Sequence, residues 1–163
     1  MKKAMSLNLM LLVSFTSLAT EQITGRVVSV IDGNTLEIMD DDHETYKILL
    51  HGIDCPELDQ EFGITARKML ERLVLEKEVL VKIQGKDRLG NRLGVITING
   101  KSDPRFELLN EGLAWTSEKN PIEELEAIKD KARENNKGLW NEQNPTPPWI
   151  FRRQQTMMQF KSS

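Results

Sequence analysis

The sequence predicts an α+β fold that is mainly β: five short strands closing into a barrel, with three helices. Two observations carry this. Apolar residues alternate with polar ones over five separate short runs, the period of strands with one buried face. One helical stripe falls between the third and fourth runs, and two more follow the fifth.

Ile23 to Ile31 is rich in β-branched residues and ends at the turn pair Asp32-Gly33. Thr35 to Met39 alternates, with Leu36 and Ile38 on one side. The acidic run Asp40 to Glu44 lacks the spacing of a helix-loop-helix calcium loop and reads as a solvated hairpin turn. Tyr46 to Ile53 is a third strand, with Ile48 and Leu50 on one face and Lys47, Leu49 and His51 on the other. From Ile64 to Val74 the period changes: Ala66, Met69, Leu70 and Leu73 form a helical stripe. Glu78 to Gln84 and Leu93 to Ile98 are the last two strands, separated by a polar loop; Asn99-Gly100 closes the second.

Ser102 or Asp103 caps the next helix, Pro104 suits its first turn, and Gly112 stops it. Pro121 and Glu123-Glu124 open a third helix that turns Leu125, Ile128 and Ala132 inward and ends by Gly138. The prolines at 145, 147 and 148 predict an extended start to the tail, with Trp149 packed on the barrel and residues from Gln154 onward mobile. Five strands with a helix between the third and fourth is the order of an oligonucleotide/oligosaccharide-binding (OB) barrel.

A chain of 163 residues has the size of one domain. Lys2-Lys3, the apolar run Leu7 to Ala19 and the small-residue pattern Ser17-Leu18-Ala19 read as a secretory signal peptide over 1–19. The expected product is an exported monomer, periplasmic or secreted, with a barrel domain over 20–140 and an extension over 141–163. No later apolar run reaches membrane length. Loss of Lys2 and Lys3 leaves 20 basic against 25 acidic side chains, a net charge of −5. Attraction of nucleic acid would then rest on a local basic patch. The single Cys55 excludes an internal disulfide and reads as a buried thiol.

Several motifs remain. They are Val30-Ile31-Asp32-Gly33-x-Thr35, Gly52-Ile53-Asp54-x-Pro56-Glu57, Gln60 with Phe62-Gly63, Asp87-Arg88-x-Gly90, Gly112-Leu113-Ala114-Trp115 and Gly138-Leu139-Trp140. In this order and spacing, the chain from Ile23 to Trp140 resembles the staphylococcal nuclease (thermonuclease-like) family. The resemblance implies Ca²⁺-assisted hydrolysis of DNA or RNA phosphodiesters, in which positioning and electrostatics dominate. Mg²⁺ or Mn²⁺ remain open as the cation.

Carried over residue by residue, Asp54 matches a metal carboxylate, Cys55 the neighbouring carbonyl ligand and Glu57 the water-activating residue. Asn34 stands where the family has its first metal Asp; it keeps an oxygen ligand and loses a charge. Leu49 and Asn91 stand at the family's two arginine positions, with Arg92 one place further on. Each missing donor removes on the order of 3 kcal/mol of transition-state stabilisation.

Lys47 and Arg92 are the candidate electrostatic substitutes, and His51 a candidate donor or metal ligand. Lys86 and Arg88, with Lys82 and Arg92, form either a nucleic-acid-facing edge or a solvated loop. Asp54 and Glu57 could equally cap the following helix, and the three tryptophans read as packing residues. The expectation is a weakened phosphodiesterase; the alternative is a catalytically degenerate module that binds nucleic acid or another extended anion. A guanidinium in contact with the Asp54–Glu57 corner would overturn the expectation of a weakened catalyst.

Overall fold

The structure, a computed structural model, describes residues 20–161, so the expected leader lies outside the described residues. Five strands close the barrel: β1 (Gln22–Val30), β2 (Thr35–Met39), β3 (Thr45–Leu50), β5 (Glu78–Lys86) and β6 (Arg92–Ile98). They run in the order β1-β2-β3-β6-β5, with β1 pairing back onto β5. All pairings are antiparallel except β3 with β6, whose parallel register sets Leu49 beside Leu93. The alternation read from the sequence is what closes the barrel. Val27, Leu36, Ile38, Ile48, Leu50, Val81 and Ile96 are all buried inside it.

The third strand is shorter than expected. β3 stops at Leu50, the chain turns at His51-Gly52, and Ile53–Asp54 form a separate two-residue strand, β4. Gly52 takes φ +85°, and a side chain there would also meet Ile122 and Leu125. β4 pairs antiparallel with β7 (Trp115–Thr116), which sets Asp54 directly opposite Trp115. Asp54 therefore sits on a small ladder beside the barrel rather than on a barrel strand.

Helix α1 (Gly63–Val74) buries Ala66, Leu70 and Val74 against the barrel. Helix α2 (Pro104–Asn110) starts as read: the Asp103 side chain accepts from the Arg105 N–H, with Pro104 in the first turn. Helix α3 (Glu123–Glu134) buries Leu125 and Ala132.

The tail differs from the expectation. Instead of an extended start, residues Pro148–Lys161 form a fourth helix, α4. Pro148 occupies the first helical position, where a missing N–H breaks no helical bond. The Pro147 carbonyl accepts from the amides of Ile150 and Phe151. Three prolines in a short stretch marked a helix start.

Candidate active site

The β1–β2 turn, β4 and the start of α1 meet at one rim of the barrel. Asp32 holds the turn by accepting the Asn34 N–H at 2.9 Å. Gly33 is required there for space: a Cβ would lie 2.6 Å from the Cys55 Cβ and 2.8 Å from the Ala66 Cβ. Asn34 then reaches across. Its Oδ1 accepts the Cys55 N–H at 2.9 Å, and its carbonyl accepts the Leu50 N–H at 2.8 Å. One lone pair of the Asn34 side-chain oxygen is thus engaged in fixing the backbone beside Asp54.

Glu57 is set by the loop that enters α1. Gln60 Oε1 accepts the Glu57 N–H at 2.9 Å, the Gln60 N–H donates to the Glu57 carbonyl, and the Gly63 N–H donates to Gln60. Phe62 enters the helix in the left-handed conformation, φ +66°. Cys55 lies buried between the two acids, and burial, then the charges of Asp54 and Asp32, push its thiol well up. Its side chain is the inert thiol expected; only its carbonyl could serve a cation.

The corner holds a guanidinium, and it belongs to Arg152 on α4. Its Nη1 donates to Asp54 Oδ1 at 3.1 Å and to Glu57 Oε1 at 2.6 Å, while Nη2 donates to Asp54 Oδ2 at 2.8 Å. The hydrogen bond to Asp54, then that to Glu57, raise the arginine pKa further against the opposing effect of burial. Two carboxylates and one guanidinium leave the corner with one net negative charge. The expectation of a corner stripped of cations is therefore corrected, by a residue to which no motif pointed.

A chain of contacts puts Arg152 there. Trp115, opposite Asp54, packs edge-on against Trp140 at 4.6 Å and against Trp149 at 5.6 Å between ring centroids. Gln60 Nε2 donates to the Thr146 carbonyl at 3.0 Å, tying the approach to α4 onto the Glu57 loop. Trp149 then stands one helical turn before Arg152, on the same side of α4.

Arg92, Asn91 and His51 have partners of their own. Arg92 donates towards Glu21 at 3.5 Å and lies over the Tyr46 ring at 5.1 Å from its centroid. Asn91 turns back on Asp87: Nδ2 donates to Oδ2 at 2.8 Å and the amide to Oδ1 at 2.9 Å. The bond from the Asn91 side chain holds the Asp87 carboxyl below the usual range, helped by loop amides. Arg88 and Lys86 stand exposed on and beside this loop.

Lys47 is exposed and pairs with Glu37 across β2 and β3. His51 sits in the turn after β3. Its carbonyl accepts from Arg105 Nη1 at 2.7 Å, and its Nδ1 is buried without a partner. Burial and the Arg105 charge lower its pKa. A lowered pKa favours the neutral imidazole.

The family description "Staphylococcal nuclease homologue" matches residues 47–142, more than half of the chain. The chain belongs to the staphylococcal nuclease family. It is 39% identical over 132 residues to an "Uncharacterized endonuclease" of Escherichia coli O157:H7, covering 80% of this chain and 85% of the relative. A protein of the same name from Haemophilus influenzae is 36% identical over 151 residues, 89% of this chain and 83% of that one. A "Micrococcal nuclease" of Shigella flexneri is 31% identical over 140 residues, covering 79% and 80% respectively.

As a member of the staphylococcal nuclease family, this chain keeps its acidic corner within the matched span, while α4 lies beyond that span. Only a packing signal pointed to α4: an aromatic at 149 followed one turn later by an arginine. A cation at the corner can be tested against the donors present. Asp54 and Glu57 converge on one point, the Arg152 Nη1, and the Asn34 side-chain oxygen is tied to the Cys55 amide next to Asp54. Among the described residues no three His, Cys, Asp or Glu side chains cluster as a metal site. Carboxylate and amide oxygens are the kind a hard cation takes, and these would offer it fewer charges than a third carboxylate would give.

Proposed function

We propose that this protein is a divalent-cation-dependent phosphodiesterase acting on DNA or RNA, of low activity for its family. One observation supports it most: the carboxylates of Asp54 and Glu57 are aimed at the same cationic atom, at 3.1 and 2.6 Å. Asp54, Asn34 and the Cys55 carbonyl would hold the cation, Ca²⁺ first, with Mg²⁺ and Mn²⁺ as alternatives. When bound, the cation would polarise a phosphoryl oxygen and offset developing charge.

Glu57 would take a proton from the attacking water. Its main chain is pinned at both N–H and carbonyl by Gln60, so its side chain keeps the freedom to follow the water. Lys86 and Arg88 would meet backbone phosphates along the exposed loop, since the acidic chain as a whole repels them. A guanidinium does reach the corner, but Arg152 is engaged by Asp54 and Glu57 themselves. Low activity still follows from Leu49 and Asn91, which supply no guanidinium to a phosphate, and from the neutral ligand Asn34.

Purified protein lacking residues 1–19 should cleave single-stranded DNA or RNA only with added cation, and Glu57→Gln should reduce the rate about 10²–10⁴-fold. Cleavage that survives in Glu57→Gln would refute the assigned role. The second reading, a degenerate module that binds nucleic acid without cleaving it, is favoured by the neutral residues at 34, 49 and 91. Retained binding with no turnover at any cation concentration would select it. We also propose export with cleavage after Ala19, to be checked by N-terminal sequencing of the protein recovered outside the cytoplasm.

A further inference from the structure

We propose that α4 is a strap closing the active site, in which Arg152 occupies the cation's place so that the cation and Arg152 exclude one another. This deepens the reading above and rests on it for the corner's being the cation site. Three observations carry it.

First, the guanidinium engages both oxygens of Asp54 and one of Glu57, the same oxygens the reaction needs. A divalent cation drawn to those oxygens would sit against a fixed positive charge, and like charges that close repel strongly. Glu57, while it accepts from Arg152 at 2.6 Å, is also hindered from taking a proton from water.

Second, α4 is attached differently from the other helices. α1, α2 and α3 each place residues in the clustered hydrophobic core. α4 places none there and, over residues 148–160, buries only its first turn, Pro148 fully and Trp149, Ile150 and Phe151 by about half. The contacts that dock it include the Thr146 carbonyl, the edge of Trp149 and the Arg152 ion pairs, and the side chains of residues 152–160 are exposed. A helix docked through one turn and one guanidinium, with no side chain in the clustered core, can leave without unfolding the barrel.

Third, the approach to α4, residues 142–147, contains no helix or strand. Its exposed residues Glu142, Gln143 and Asn144 give a short hinge between the Gly138–Asn141 turn and α4. The strap therefore lifts as a unit, carrying Trp149 and Arg152 away together.

The test titrates CaCl₂ and MnCl₂ into the full mature chain and into Arg152→Gln, read by calorimetry and by tryptophan fluorescence. All three tryptophans belong to the one cluster beneath α4, so their emission reports directly on its departure. If the open form is a minor population, removing the competitor raises the apparent cation affinity by roughly the inverse of that fraction, about tenfold or more. In the parent chain, cation saturation should shift tryptophan emission and expose the amides of α4 to hydrogen exchange. Trp149→Ala, which keeps Arg152 and loosens its seat, should tighten cation binding by a smaller factor.

Equal or weaker binding by Arg152→Gln overturns the proposal, as does saturation of the parent chain with α4 still protected. So does failure of both proteins to bind cation. Cleavage assayed in parallel separates the two readings. Tighter binding without any cleavage keeps the strap and refutes the nuclease, whereas cation-dependent cleavage with unchanged affinity in Arg152→Gln does the reverse.

Discussion

The carbonyl of Glu57 occupies the space where a side chain on residue 63 would begin, so Gly63 is a packing requirement of the active-site loop. Gly63→Ala must push either the first turn of α1 or the Glu57 main chain aside. Overpacking of this kind destabilises by roughly 1–3 kcal/mol. Urea denaturation should show that loss, together with a fall in cleavage larger than the stability change explains. A fully stable Gly63→Ala protein with unchanged turnover would contradict the picture of a pinned Glu57.

Arg105 is buried, with its guanidinium forked onto Asp103 at 2.6–3.0 Å and onto the His51 carbonyl. Asp103→Ala removes both the partner charge and the α2 cap, leaving a buried cation uncompensated, and should cost about 3–5 kcal/mol in chemical denaturation. The double change Asp103→Ser with Arg105→Met keeps a cap and removes the charge, and should be milder than the single one. The opposite ranking would mean that the pair is not what holds the turn after β3.

The barrel was legible because each of its strands buries alternate residues, a period that survives without knowledge of neighbours. The Asp103 cap and the inward stripe of α3 were legible for the same local reason. Two features were not. The break after Leu50 is hidden because Ile53 continues an apolar run, and only the close approach of Ile122 and Leu125 shows why Gly52 must turn there. Arg152 meets Asp54 across 98 positions of sequence, and no local pattern links them. Asn34 and Asn91 were legible as substitutions but not as bonded groups. One holds the Cys55 amide and the other closes the Asp87 loop.

His51 supplies a pH dependence with a definite sign. Burial and Arg105 depress its folded-state pKa below the ordinary value of about 6.5, so the unfolded chain binds the proton first on acidification. Its contribution to stability is present above about pH 6.5 and is lost as pH falls through the folded value. Thermal melts of His51→Gln, which cannot charge, should decline less steeply with acid than those of the parent. Parallel curves would show that this imidazole carries no linkage.

Restoring the family pattern should raise turnover. Asn34→Asp keeps an acceptor for the Cys55 amide and adds a charge next to Asp54, so cation affinity should increase on the order of tenfold. Adding Leu49→Arg and Asn91→Arg supplies the missing donors, each expected to raise kcat/KM about a hundredfold or more. The Asn91 change gives up its tie to Asp87, so its gain should be the smaller of the two. Cleavage assays on the folded triple variant decide this, and no gain would mean that these positions do not face the phosphate.

The pairing of Asp54 with Trp115 has a consequence for the newly made chain. The acid appears early in synthesis, while the strand that aligns it lies 61 positions later. Such distant pairings are the last to form as a polypeptide emerges. A nascent or prematurely terminated fragment would carry the acidic residues without the geometry to use them, and hydrolytic competence would have to await the final third of translation.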